Sequence, residues 1–130
     1  MTLRISSPLP DHVESLVTKV IGAAIEVHRC LGPGLGEGLY EDAFAIELTV
    51  QGFRFERQRA VVLEYRGQPL RPQRIDLIVE QQIVIEIKAV ERLHPVHRAQ
   101  LISYLRATGL RIGLLLNFDE PVICVKRVIV

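Results

Sequence analysis

In Arg74-Ile75-Asp76-Leu77-Ile78-Val79-Glu80-Gln81-Gln82-Ile83-Val84-Ile85-Glu86-Ile87-Lys88, two β-branched and aliphatic runs, Ile75 to Val79 and Ile83 to Ile87, flank a polar break at Glu80-Gln81-Gln82. Such runs read as strands, here joined by a tight hairpin. Side chains alternate faces along a strand, so Glu86 and Lys88 project together while Ile83, Ile85 and Ile87 point to the other face. If Glu80-Gln81-Gln82 is a three-residue loop, Asp76 stands opposite Glu86 and the two carboxylates share a face. A two-residue loop would put them on opposite faces, so the turn decides the constellation.

Two carboxylates facing each other in an apolar sheet resist ionisation unless a cation sits between them. A divalent metal meets that need. Magnesium, or manganese in its place, suits two carboxylates, waters and phosphate oxygens, with the backbone carbonyl of Ile87 completing the protein's share. Lys88, on the same face, could then orient or deprotonate an attacking water. The plainer alternative is a Glu86–Lys88 pair protecting an edge strand, with Asp76 solvated.

Working outward, 130 residues, 48% hydrophobic and 24% charged, are ordinary for one globular domain, with residues 1–9 as a loose lead-in. The net charge of +1 does not by itself call for nucleic acid. Thirteen of the 16 basic residues are Arg, the side chain suited to bidentate phosphate contacts, although codon bias would give the same excess. Cys30 and Cys124 are too few and too isolated for a disulfide framework or a zinc site. No leader-like N-terminus and no membrane-length apolar run is visible, so a cytoplasmic location without membrane attachment is expected.

A first helix is predicted from Asp11, as N-cap with Glu14 as its capping-box partner, to about Cys30, where Gly32-Pro33-Gly34 stops it. A second begins within Gly34-Leu35-Gly36-Glu37-Gly38-Leu39-Tyr40-Glu41 and runs to about Val50. Its apolar arc takes in Leu39, Tyr40, Ala43, Phe44, Ile46, Leu48 and Val50. Glu37 falls inside that arc and would reach the Asp76–Glu86 pair, with Glu41 as the fallback; equally, Glu37 could simply complement the helix dipole. Strands follow at Phe53–Arg57 and from Ala60 to Tyr65. Arg54, Arg57, Arg59, Arg66, Arg71 and Arg74 fall in this region, as either a phosphate-binding surface or a solvated face.

After Lys88 a helix is predicted from about Pro95 to Gly109, with Gln100 and Tyr104 stacked four apart and His97 one turn before them. These polar groups could hold a phosphate or support a metal site, or merely face solvent. Residues 111–118 give an apolar strand for a sheet interior, and Val122 to Val130 a last strand.

These residues carry a resemblance. Asp76 followed by Glu86-Ile87-Lys88 resembles the Asp…(Asp/Glu)-x-Lys signature of the PD-(D/E)XK nuclease superfamily, with Ile75 where the name has Pro. Gln100-Leu101-Ile102-Ser103-Tyr104 resembles the Gln-x-x-x-Tyr element of its exonuclease-like branches. Gly34 to Tyr40 resembles the Gly-x-x-Glu-x-x-Tyr motif that names one of its families of small proteins, the GxxExxY family. The Leu-Leu-Asn-Phe run near the C-terminus completes the order. The resemblance implies an α/β (α+β) fold, a mixed central sheet flanked by helices, and a divalent-metal-dependent nuclease. It assigns Asp76, Glu86 and Glu37 to metal and catalysis, Lys88 to the nucleophilic water, and Gln100, Tyr104 and Tyr40 to support or substrate contact. Nucleic acid is the implied partner, DNA ahead of RNA although no residue separates them, with a homodimer or partner chain adding specificity. The other reading is a non-catalytic nucleic-acid-binding or protein-interaction module that keeps the fold.

Overall fold

The structure is a computed structural model that describes residues 7–130. Two helices come first, α1 (Asp11–Leu31) and α2 (Glu37–Val50), then β1 (Phe55–Val61) and a small hairpin of β2 (Glu64–Tyr65) and β3 (Gln68–Pro69). After these come β4 (Gln73–Val79), β5 (Ile83–Lys88), α3 (Pro95–Thr108), β6 (Ile112–Asn117) and β7 (Cys124–Ile129). The main sheet has the order β1-β4-β5-β6-β7, antiparallel except for β5 beside β6. That parallel pair needs a crossover, and α3 supplies it. The fold is thus α+β with a mixed five-stranded sheet, as expected.

Alternation along the central strands divides the core. Leu77, Val79, Ile83, Ile85 and Ile87 pack with α1 and α2, whose Val17, Val20, Tyr40, Phe44 and Leu48 are buried. Ile78, Val84 and Leu115 face the other way, onto Leu101, Tyr104 and Leu105 of α3. Gly113 lets α3 close on the sheet, for a Cβ there would lie 2.7 Å from a Leu101 methyl.

Several local expectations are corrected. Pro10, not Asp11, flanks α1, no side chain caps it, and Glu14 instead bonds Ser7 and Arg127. Residues 1–6 of the lead-in lie outside the described residues, but Leu9 is buried in the core, so residues 7–9 are not loose. The α2 arc is narrower than its composition suggests: Leu39, Ile46 and Val50 are exposed while Glu41 is buried. A helix lying flat on one layer buries a single stripe, and Glu41 falls in it. The strand expected at Phe53–Arg57 and that from Ala60 merge into β1, and Pro69 belongs to the β2–β3 hairpin. Arg66 and Gly67, both at positive φ, turn that hairpin.

Candidate metal centre

The turn after β4 settles the register. Glu80 and Gln81 both have positive φ, and the Gln82 amide donates to the Val79 carbonyl. Val79 pairs with Ile83, Ile78 with Val84 and Leu77 with Ile85, so the loop has three residues. The next pair in this register would be Asp76 with Glu86, and there the backbone ladder stops. Two side-chain bonds take its place: the Ile87 amide donates to Asp76 Oδ2 at 2.8 Å, and the Asp76 amide to Glu86 Oε1 at 3.3 Å. The carboxylates therefore sit where the two strands part.

The ladder on the other side of β4 breaks at the same residue. β1 pairs Arg57 with Leu77 and Arg59 with Ile75, but Gln58, which would meet Asp76, has a φ of 52°. A non-glycine residue in this region inside a strand is strained by about 1–2 kcal/mol. The distortion aims the Gln58 amide group inward: its Nε2 donates to Glu41 Oε1 at 2.6 Å and to Asp76 Oδ1 at 3.3 Å. Arg57 holds the other Glu41 oxygen from Nε and Nη2, at 3.0 and 2.7 Å. These bonds explain how Glu41 is tolerated in a buried position. Sequence reading gave Gln58 no role, and no signal marked it, since a glutamine between two arginines in an edge strand reads as solvated.

Electrostatics follow from burial. Glu86 is 4% exposed. Loss of solvent, and then the charge of Asp76, push its pKa up to about 8. Asp76 is raised by burial too, with the Ile87 amide opposing and Glu41 adding to the rise. Lys88 lowers both, but forms no ion pair with either among the described residues. Every fully buried side-chain nitrogen or oxygen among those residues has a partner. Glu86 Oε2 has none, so it is the atom through which this carboxylate meets the surface.

Glu37 and Glu41 exchange the positions expected of them. Glu37, first residue of α2, is exposed, and its charge adds to the rise at Glu86. Glu41 reaches Asp76 through Gln58. Gln100 Nε2 donates to the Tyr104 hydroxyl at 3.0 Å, and Tyr104 is buried near Glu86, whose charge adds to burial in raising its pKa. His97 instead caps α3, accepting the His94 amide at Nδ1. Tyr40 makes no hydrogen bond to either carboxylate among the described residues. Its hydroxyl donates to the Gly32 carbonyl and accepts the Leu35 amide, while its ring stacks on Phe118 at 4.6 Å. Asn117, fully buried, ties the segment after Lys88 to β6 by accepting the Val90 amide and donating to the Val90 carbonyl. A lone polar residue in an apolar run was the available signal for it.

The donor set fits a hard divalent cation. Asp76 and Glu86 offer oxygen atoms with spare lone pairs, no cationic side chain neutralises them by contact, and such ions take one or two carboxylates plus waters. Among the described residues no three His, Cys, Asp or Glu side chains converge on one point. The protein's side-chain share at this point is therefore two carboxylates.

No helix among the described residues is long and apolar enough to cross a membrane. No curated protein and no solved structure matches the chain. The family model for the PD-(D/E)XK nuclease superfamily matches residues 14–128, from the first turn of α1 to β7. Members of that superfamily generally use divalent metals and act on nucleic acid. With acid, acid and lysine gathered where β4 and β5 part, and the match spanning nearly the whole fold, the chain belongs to the PD-(D/E)XK nuclease superfamily.

Proposed function

We propose that the protein is a divalent-metal-dependent nuclease that hydrolyses nucleic-acid phosphodiester bonds at the Asp76–Glu86 pair. The observation that carries this is the break in the β4–β5 ladder, where a half-buried and a buried carboxylate, Asp76 and Glu86, replace backbone pairing with no Lys or Arg side chain paired to either among the described residues. Asp76, Glu86 and the Ile87 carbonyl would hold Mg²⁺ or Mn²⁺, with Glu37 at the start of α2 as the further acidic group. When bound, the ion supplies the positive charge that polarises a phosphodiester and acidifies water beside it. Lys88, half-buried on the same side, orients that water or takes its proton and counters charge developing on the phosphoryl group. Gln100 and Tyr104 offer a hydrogen-bonded pair to the phosphate, and Gln58 and Glu41 fix the Asp76 carboxyl. Tyr40 acts at one remove, by seating the glycine loop before α2.

Within the superfamily, the spacing of Gly34, Glu37 and Tyr40 supports assignment to the GxxExxY family. Its setting is the cytoplasm, and DNA ranks ahead of RNA as substrate. A second copy or a partner chain pairing at the open β7 edge would add recognition surface.

Cleavage of single- and double-stranded DNA and RNA with Mg²⁺ or Mn²⁺ tests the reading. Wild type should cut, while Asp76→Ala and Lys88→Ala should be reduced at least about 100-fold with their fold retained, a loss of about 2.7 kcal/mol or more in the transition state. Cutting that survives both substitutions would exclude this site, and inert wild type would favour the binding-module reading.

A further inference from the structure

Of the described arginines, Arg29, Arg54, Arg57, Arg59 and Arg127 each face a carboxylate. Arg74 and Arg111 donate to backbone carbonyls. The remaining five, Arg66, Arg71, Arg92, Arg98 and Arg106, have no acidic partner among the described residues. All five lie on or beside the β2–β3 hairpin, before α3, or on α3. Arginine without an acidic partner is thus gathered around the hairpin and α3, although the net charge is only +1.

The same region holds a groove. The β2–β3 hairpin forms its own two-stranded sheet, unpaired with the main one, and exposes Tyr65 by 65% and Leu70 by 48%. A two-stranded hairpin is marginally stable alone, so apolar surface left open on it calls for an occupant. Between the hairpin and α3 lies a cavity of about 650 Å³, lined by Tyr65, Leu70 and Arg106 among others. It continues past Leu63, Leu70 and Ser103 into a space of about 270 Å³ lined by Arg71, Gln100 and Tyr104. Tyr104 feels the charges of Glu86 and Asp76, so this end of the groove is the one nearer the carboxylates.

We propose that this groove binds an unpaired nucleic-acid strand and leads it to the Asp76–Glu86 site. The inference rests on the hydrolytic reading and names its substrate class. A duplex offers phosphates, but its base faces are already stacked and have no use for an aromatic and aliphatic wall. An unpaired strand offers both phosphates and bare base faces. Tyr65, with the Arg66 guanidinium 5.9 Å from its ring centroid, is the stacking platform. Arg71 and Arg106 take the phosphates on either side of the apolar stretch.

Binding measured by fluorescence anisotropy in EDTA, where no metal-dependent cutting occurs, tests this. A labelled oligothymidylate should bind wild type more tightly than a blunt hairpin duplex of equal length. Tyr65→Ala should weaken strand binding about 5- to 150-fold, and Tyr65→Phe should retain it. The Arg71→Ala, Arg106→Ala double variant should weaken it and flatten its salt dependence. Tyr65 is exposed, so its loss leaves the fold in place. Equal affinity for duplex and strand, indifference to Tyr65→Ala, or a dimer that Tyr65→Ala disperses would overturn the proposal. Wild type that binds neither would do the same. Metal-dependent hydrolysis of thymidine 5′-(p-nitrophenyl phosphate) by wild type and not by Asp76→Ala reads the reaction alone. Its failure beside intact strand binding would sink the hydrolytic reading and leave the groove standing.

Discussion

Glu86 shows what one buried carboxyl does to the stability of the metal-free protein. Its pKa, pushed to about 8 from 4.5, means that the folded chain keeps a proton that the unfolded chain has released. Folded protein therefore binds more protons between those values, and stability falls as pH rises through that window, by up to about 1.4 kcal/mol per pH unit. Glu86→Gln, which cannot ionise, should remove this loss. Thermal unfolding in EDTA should show the melting temperature of wild type declining more steeply than that of Glu86→Gln between about pH 5.5 and about pH 7, roughly one unit inside each limit. Parallel declines would mean that Glu86 ionises normally. The companion residue, Gln58, shows strain placed beside chemistry: its positive φ turns a surface side chain into the link between Glu41 and Asp76.

At the scale of elements, two close approaches position the site. Gly113 on β6 admits Leu101 of α3, and Leu101 is fully buried. Gly113→Ala should cost about 1–3 kcal/mol in chemical denaturation, by overpacking that lifts α3 and its Gln100–Tyr104 pair. An unchanged midpoint would show that α3 shifts freely on the sheet. On the opposite layer, the Tyr40 hydroxyl joins Gly32 and Leu35 at the entrance to α2. Tyr40→Phe keeps the ring on Phe118 but removes two part-buried hydrogen bonds, to the Gly32 carbonyl and from the Leu35 amide, at about 0.5–1.5 kcal/mol each. Faster hydrogen exchange at Leu35 in that variant should report the loosened loop, and unaltered exchange would argue against the clamp.

For the whole molecule, the two like charges make the folded state a better host for a cation than the unfolded chain. At a concentration about 100-fold above its dissociation constant, Mg²⁺ or Mn²⁺ should stabilise the protein by about 2.7 kcal/mol. Asp76→Asn should abolish most of that gain. Calorimetry with and without chelator checks it, and an equal gain in the variant would place the ion elsewhere. Because protons compete at Glu86, the gain should grow as pH approaches 8.

The sequence by itself determined the hairpin and the shared face of Glu86 and Lys88, because strand alternation is a local geometric rule that burial of one face makes strict; the three-residue loop that brings Asp76 opposite Glu86 was decided by the turn in the structure. It also determined α1, α2 and α3 to within a residue or two, through helical periodicity and the Gly and Pro residues at their ends. Only the tertiary structure decided which glutamate of α2 is buried, since that depends on how the helix rolls on its neighbours and on Arg57 and Gln58 arriving from another strand. The same holds for Tyr40, whose motif position placed it with the site while packing against Phe118 turned its hydroxyl to the loop. The ladder break at Asp76 lay beyond sequence for the same physical reason: a strained Gln58 and two side-chain bonds that replace backbone pairing are products of three strands meeting, and no single strand encodes them.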